Sequence, residues 1–147
     1  GAERDTLPMP ARSDFSAVSE MLHQRCGSLT CHGAVGRNLR LYGVNGRRLA
    51  PSDVSGELNG VTTVAEHDAN YQSVIALEPE LLSAVFVASG ADPQRLTLVR
   101  KARDEEDHDG SGLLSPGDAG DRCLLAWIGG GADAAACVQA SELKRPD

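Results

Sequence analysis

An all-α domain is what this sequence predicts, on three observations. Apolar residues recur at helical spacing in five separate segments. Capping residues, prolines and glycines stand where those segments should begin and end. Strand-like alternation is confined to one short piece around Leu39 and Leu41.

The first helix is expected after Ser13 as its N-cap, with Phe15, Val18, Met21 and Leu22 inward and Gly27 as terminator. Residues 1–12, with two prolines and no periodicity, read as a tail or linker. From Tyr42 to Gly60, four glycines and a proline predict a long loop over the core. Thr63 and Glu66 form a capping box that opens a second helix, whose inner face should carry Val64, His67, Tyr71, Val74, Ile75 and Leu77. Pro79 starts a third helix through Leu81, Leu82, Val85 and Phe86, which Gly90 breaks. Asp92-Pro93 opens a fourth, with Leu96 and Val99 inward. Ser115 as N-cap, Pro116 at N1 and Asp118 at N3 open the last, with Leu124, Leu125 and Ile128 on one stripe and a stop at Gly129-Gly130-Gly131. The domain is expected over residues 13–138, with a C-terminal tail over 139–147.

At 147 residues the chain is long enough to bury one core. Its net charge of -7 argues against nucleic acid or an anionic membrane and favours basic docking partners. No apolar run is long enough to cross a bilayer. The chain opens at Gly1, which reads as a processed start, with a lipid anchor upstream or a larger parent chain left open. Aromatic residues are scarce (3%), so a buried flat cofactor would supply apolar surface that the side chains lack.

The four cysteines divide into two pairs. Cys123 and Cys137 are expected to form a disulfide, whose loop of about 15 residues contributes roughly 3 kcal/mol by chain entropy and suits an oxidising compartment. Cys26 and Cys31 frame Cys26-Gly-Ser-Leu-Thr-Cys31-His32. Two thiols with a histidine directly after the second are what covalent haem attachment requires, although the common spacing has two intervening residues and this one has four. A tight disulfide or a zinc site remain the alternatives for these residues.

CGSLTCHG near the start, LVRK at Leu98 to Lys101 and WIGGGA at Trp127 to Ala132 together resemble a monohaem c-type cytochrome, closest to bacterial cytochrome c-like domains. The likeness spans roughly residues 14–138 and is densest at its two ends. It implies a cytochrome c-like helical domain around one covalently bound haem c, with first and last helices crossing. His32 is then the proximal axial ligand. Both methionines, Met9 and Met21, precede the motif, so the distal ligand is expected from histidine. His108, in the loop before the last helix, is the expected one; His67 is the runner-up, an open site is the alternative, and His23 is expected to be exposed.

The His108 loop also resembles a calcium loop, with Asp107, Asp109, Ser111 and Asp118 at positions 1, 3, 5 and 12 and Gly112 at position 6. A solvated acidic loop is the plainer reading.

These features lead to an expectation of electron transfer rather than catalysis, because two imidazoles leave no open coordination position. Redox partner proteins and a periplasmic or extracellular location would follow. The alternatives are a haem-based sensor or peroxidase-like enzyme with an open distal site, and a haem-free, disulfide-stapled calcium-binding module.

Overall fold

The computed structural model describes residues 7–27, 31–33, 39–56, 60–106 and 113–142. Among them the chain is helical, with no strand. Six α-helices follow in order: α1 (Ser16–Cys26), α2 (Val64–Ile75), α3 (Pro79–Val87), α4 (Thr97–Ala102), α5 (Ala119–Ile128) and α6 (Ala134–Glu142). Short 3-10 turns precede α1 (Arg12–Asp14) and α4 (Pro93–Arg95). The central packing unit is α1 against α5 and α6, with α2 against α1 and α3 against α5.

The start of α1 differs from the expectation. Ser13 lies inside the 3-10 turn, and Phe15 occupies the cap position with no side-chain cap. The turn places the Phe15 ring in the core, 4.7 Å from Trp127 and 5.4 Å from Tyr71 by ring centroid. Aromatic pairs of this kind contribute about 0.5–1.5 kcal/mol each beyond their area burial. Both polar ends of the cluster are satisfied by the preceding segment. Trp127 Nε1 donates to the Ala11 carbonyl and the Tyr71 hydroxyl to that of Pro10, each at 2.8 Å. Residues 10 and 11 are therefore tied into the core, inside the stretch read from sequence as a tail.

The capping box of α2 is formed in both directions between Thr63 and Glu66. The inner face of α2 is the expected one in part: Val74 is buried, and Tyr71, Ile75 and Leu77 pack against the core. Val64 is 73% exposed, and the buried positions are Glu66, Asn70 and Val74. Two polar residues on that stripe mislead a reading based on apolar periodicity. Glu66 is buried because Arg48 meets it with two nitrogens, at 2.9 and 3.0 Å, and the Leu49 N–H adds a third bond.

Pro79 stands at the head of α3 as expected, and the helix stops before Gly90, whose φ of +85° suits glycine. The predicted fourth helix divides. Pro93–Arg95 is a 3-10 turn, Leu96 is extended, and α4 begins at Thr97, whose N–H is met by the Glu78 carboxylate at 2.6 Å. Leu96 and Val99 are both buried.

The N-cap of α5 is Asp118, not Ser115. One Asp118 oxygen accepts from the Asp121 N–H and the other from the Ser115 N–H, each at 2.8 Å. Pro116 and Gly117 belong to the turn that precedes this cap, with Gly117 at φ +84°. Past the triple glycine runs a helix not anticipated from sequence, α6, which continues to Glu142 with Ala140 buried. Its alanines give little amphipathic signal, and the Cys123–Cys137 disulfide joins it to α5.

Candidate functional site

The first motif cysteine closes α1. Cys26 is the last residue of the helix and is buried; Gly27 caps it, donating its N–H to the His23 carbonyl at 2.8 Å. The motif's two ends then meet, because the His32 N–H donates to the Cys26 carbonyl at 3.1 Å. Cys26 and Cys31 are present as thiols, and Cys31 and His32 are half-buried.

His32 is held from two sides by the extended segment that follows. Its Nδ1 donates to the Leu39 carbonyl at 2.8 Å, and its carbonyl accepts from the Leu41 N–H at 2.8 Å. A carbonyl can only accept, so the proton of the neutral ring is on Nδ1 and the lone pair on Nε2. In metal-binding imidazoles the non-ligating N–H is commonly anchored by a bond of this kind.

That segment is fastened in turn. Leu39 and Leu41 are buried in the core. Tyr42 exchanges two hydrogen bonds with the Asn70 amide, at 2.7 and 2.8 Å, and Asn70 also donates to Ser19 on α1 at 2.9 Å. Arg47 donates to the Gly33 carbonyl at 2.7 Å, closing the far side of the motif. Asn70, the second polar residue on the inner face of α2, thus secures the strap that holds His32. Sequence reading missed it, since a lone asparagine in a helix carries no signal of its own.

His23, expected at the surface, is 2% exposed. Its ring lies where side chains at Gly27, Gly43 and Gly46 would otherwise stand. The Asn45 N–H donates to Nε2 at 3.0 Å, which puts the proton of the neutral ring on Nδ1, where it finds no acceptor among the described residues. Burial lowers the His23 pKa; Glu20 and Glu66 oppose this, while Arg48 and His67 add to it. The available clue was the set of three glycines at 27, 43 and 46, each leaving room for the ring.

His67 lies on α2, half-buried against α1, with Nδ1 bonded to Ser19 Oγ at 2.7 Å. Burial lowers its pKa as well. His108 lies outside the described residues, as do Asp107, Asp109 and Ser111 of the calcium-like loop. The described ends of that loop are anchored: Ala102 accepts from the N–H groups of both Leu113 and Leu114. Arg25, next to Cys26, donates to the Leu113 and Ala140 carbonyls at 3.2 and 3.1 Å. Asp118, the last residue of the calcium pattern, has both oxygens engaged in capping α5. No cluster of three or more metal-ligating side chains occurs among the described residues.

A groove of about 290 Å³ lies between the start of α1 and the start of α6, lined by Ser13, Ala17 and Ala134 among others. None of the motif residues lines it. Among the described residues no helix is long and apolar enough to cross a membrane. No family model, curated protein or solved structure matches this chain.

Proposed function

We propose that the chain is an electron-transfer protein carrying one covalent haem c on Cys26 and Cys31, with His32 as the proximal iron ligand. The observation that supports this reading is the 2.8 Å hydrogen bond from His32 Nδ1 to the Leu39 carbonyl, which would make Nε2 the ligating atom. The thiols suit the same group. Cys26 is rooted at the end of a packed helix, and Cys31 is positioned by the Cys26–His32 backbone bond. When bound, haem iron supplies a one-electron ferric/ferrous couple.

The chain's own part is to attach, orient and enclose. Leu39, Leu41 and Asn70 keep the imidazole from turning, so the iron ligand does not rearrange with the oxidation state. His108 is proposed as the distal ligand. Its loop is anchored at Ala102 and, through Leu113, to Arg25 beside Cys26. His67, whose Nδ1 is bonded to Ser19 Oγ on α1, is the runner-up for that position. Paired imidazoles would give a lower potential than a methionine-ligated haem and leave no position for substrate, which is why we propose no catalytic role.

The disulfide between Cys123 and Cys137 is consistent with a periplasmic or extracellular location, and the charge of -7 with basic redox partners. The test is the absorption spectrum of the protein made with c-type haem maturation machinery. A low-spin spectrum unaffected by carbon monoxide in the reduced state, turned high-spin by His108→Ala, is expected. Carbon monoxide binding to the unmodified protein would instead indicate an open distal site and a sensor or peroxidase-like role.

A further inference from the structure

Arg48 and Glu66 form a buried ion pair, with guanidinium nitrogens 2.9 and 3.0 Å from the two carboxylate oxygens. The pair also gathers backbone around itself. Arg48 Nη1 donates to the Val54 carbonyl at 3.3 Å, and Nη2 to the Val61 carbonyl at 2.9 Å. Glu66 accepts from the N–H of Leu49 at 3.0 Å and from that of Thr63, which precedes Val64, at 2.9 Å. Four apolar residues are thus drawn around one centre, yet their side chains remain in water. Leu49, Val54, Val61 and Val64 are between 41% and 75% exposed. Only three other large apolar side chains are exposed among the described residues: Leu7, Val87 and Val138.

Apolar side chains gathered at the surface forgo the free energy of burial, and such surfaces mark places where something binds. Three of the four are valines, whose stiff side chains lose little freedom on contact.

Charge decides what fits. From Leu49 to Gln94 the chain has seven carboxylates and no lysine or arginine, so this stretch alone carries the whole net charge of -7. Asp53 adjoins Val54, and the exposed Asp68 stands one helical turn beyond Val64. Arg12 offsets Asp68 and Arg48 offsets Glu66, which still leaves the stretch strongly acidic. A second copy of the chain, an anionic membrane or a nucleic acid would bring like charge to this face. A protein surface edged with lysine and arginine brings the opposite charge.

We propose that Leu49, Val54, Val61 and Val64 form a docking surface for a partner protein whose apolar contact face is bordered by lysine and arginine. Arg47, the residue before Arg48, bonds to the Gly33 carbonyl beside His32, so consecutive residues join this surface to the motif. As a place of electron exchange the surface rests on the haem reading; as a docking surface it rests on the polypeptide alone.

The probe is a synthetic amphipathic helix with leucine on one face and lysine along its borders, titrated by calorimetry into the full chain. A comparison peptide keeps every lysine and has serine in place of leucine. The leucine peptide is expected to bind on the order of tenfold more tightly, with an affinity that falls as salt rises. Val61→Ser combined with Val64→Ser should weaken it roughly tenfold, whereas Val138→Ser on α6 should not. Leu49→Ser with Val54→Ser is a second pair, and exposed positions should leave the helicity of both pairs as in the wild type. Equal binding of the two peptides, binding of neither, or binding that neither pair weakens overturns the proposal. So does loss of folding in both pairs, since these side chains would then serve the fold. Concentration-dependent dimers that the same substitutions abolish also overturn it, in favour of a second copy. Denatured mass reports haem separately: a chain that binds the leucine peptide here but carries no haem supports the docking surface and overturns the electron-transfer reading.

Discussion

His32 gives its Nδ1 proton to the Leu39 carbonyl across 2.8 Å, seven residues along the chain. The bond joins the motif to a segment whose own position depends on α2, through Tyr42 and Asn70. The orientation of one imidazole is thus set by packing well outside the six-residue span of the two cysteines.

Removing Asn70 should test that dependence. Asn70→Ala deletes the amide's bonds to Ser19 and Tyr42 and leaves buried groups unsatisfied. A loss of about 2–4 kcal/mol in unfolding free energy is expected in urea titrations. Haem attached per polypeptide should fall as well, because the Leu39 carbonyl is no longer held in place.

The glycine cradle of His23 gives a second prediction. A Cβ at position 43 would collide with the His23 ring, meeting Cδ2, Cγ and Nε2. Gly43→Ala should therefore cost about 1–3 kcal/mol, as overpacking does. The same substitution in a His23→Ala background should cost much less, and a double-mutant cycle measures the difference.

Stability should also depend on pH through the buried histidines. Burial holds the pKa values of His23 and His67 below their ordinary 6.5. As pH falls below about 6.5, the unfolded chain takes up protons that the native state refuses until lower pH. The native state is therefore fully favoured above that value and loses stability as the medium is acidified toward the folded pKa values. Glu66 adds to the loss at lower pH. Burial alone would raise its pKa, but the Arg48 guanidinium and the Thr63 and Leu49 amides outweigh this and hold it below 4.5. Its stabilisation is present above 4.5 and disappears as pH falls through the depressed value. Unfolding free energies from pH 7 to 5 should decline in the wild type and more gently in His23→Gln.

The disulfide closes a 14-residue separation between α5 and α6. Replacing both Cys123 and Cys137 with alanine should cost roughly 3 kcal/mol, with the melting temperature as readout. The effect should centre on α6, which is otherwise held by its alanine-rich face and by the Arg25 bond to the Ala140 carbonyl.

Much of this architecture was legible in the residues. The capping box at Thr63, the proline at the head of α3 and the stop at Gly90 are local chemistry, and local chemistry is written in adjacent residues. What stayed hidden depended on distant partners. His23 looks like a surface residue until the glycines at 43 and 46 fold back over it. Glu66 and Asn70 look solvent-facing until Arg48 and Tyr42 meet them. Ser115 resembles a cap, but Asp118 wins because its carboxylate serves two backbone amides at once. At the candidate site, the cysteines and His32 were apparent from spacing, whereas the Leu39 carbonyl that orients the ring is a backbone group with no sequence signature.

The central claim is best tested by the denatured intact mass of the chain made in a host carrying c-type haem maturation machinery. The account predicts the polypeptide plus one haem, with the gain lost when Cys26 and Cys31 are both replaced by alanine. A mass equal to the polypeptide alone, with those two cysteines joined to each other, would contradict it and favour the disulfide-stapled calcium module.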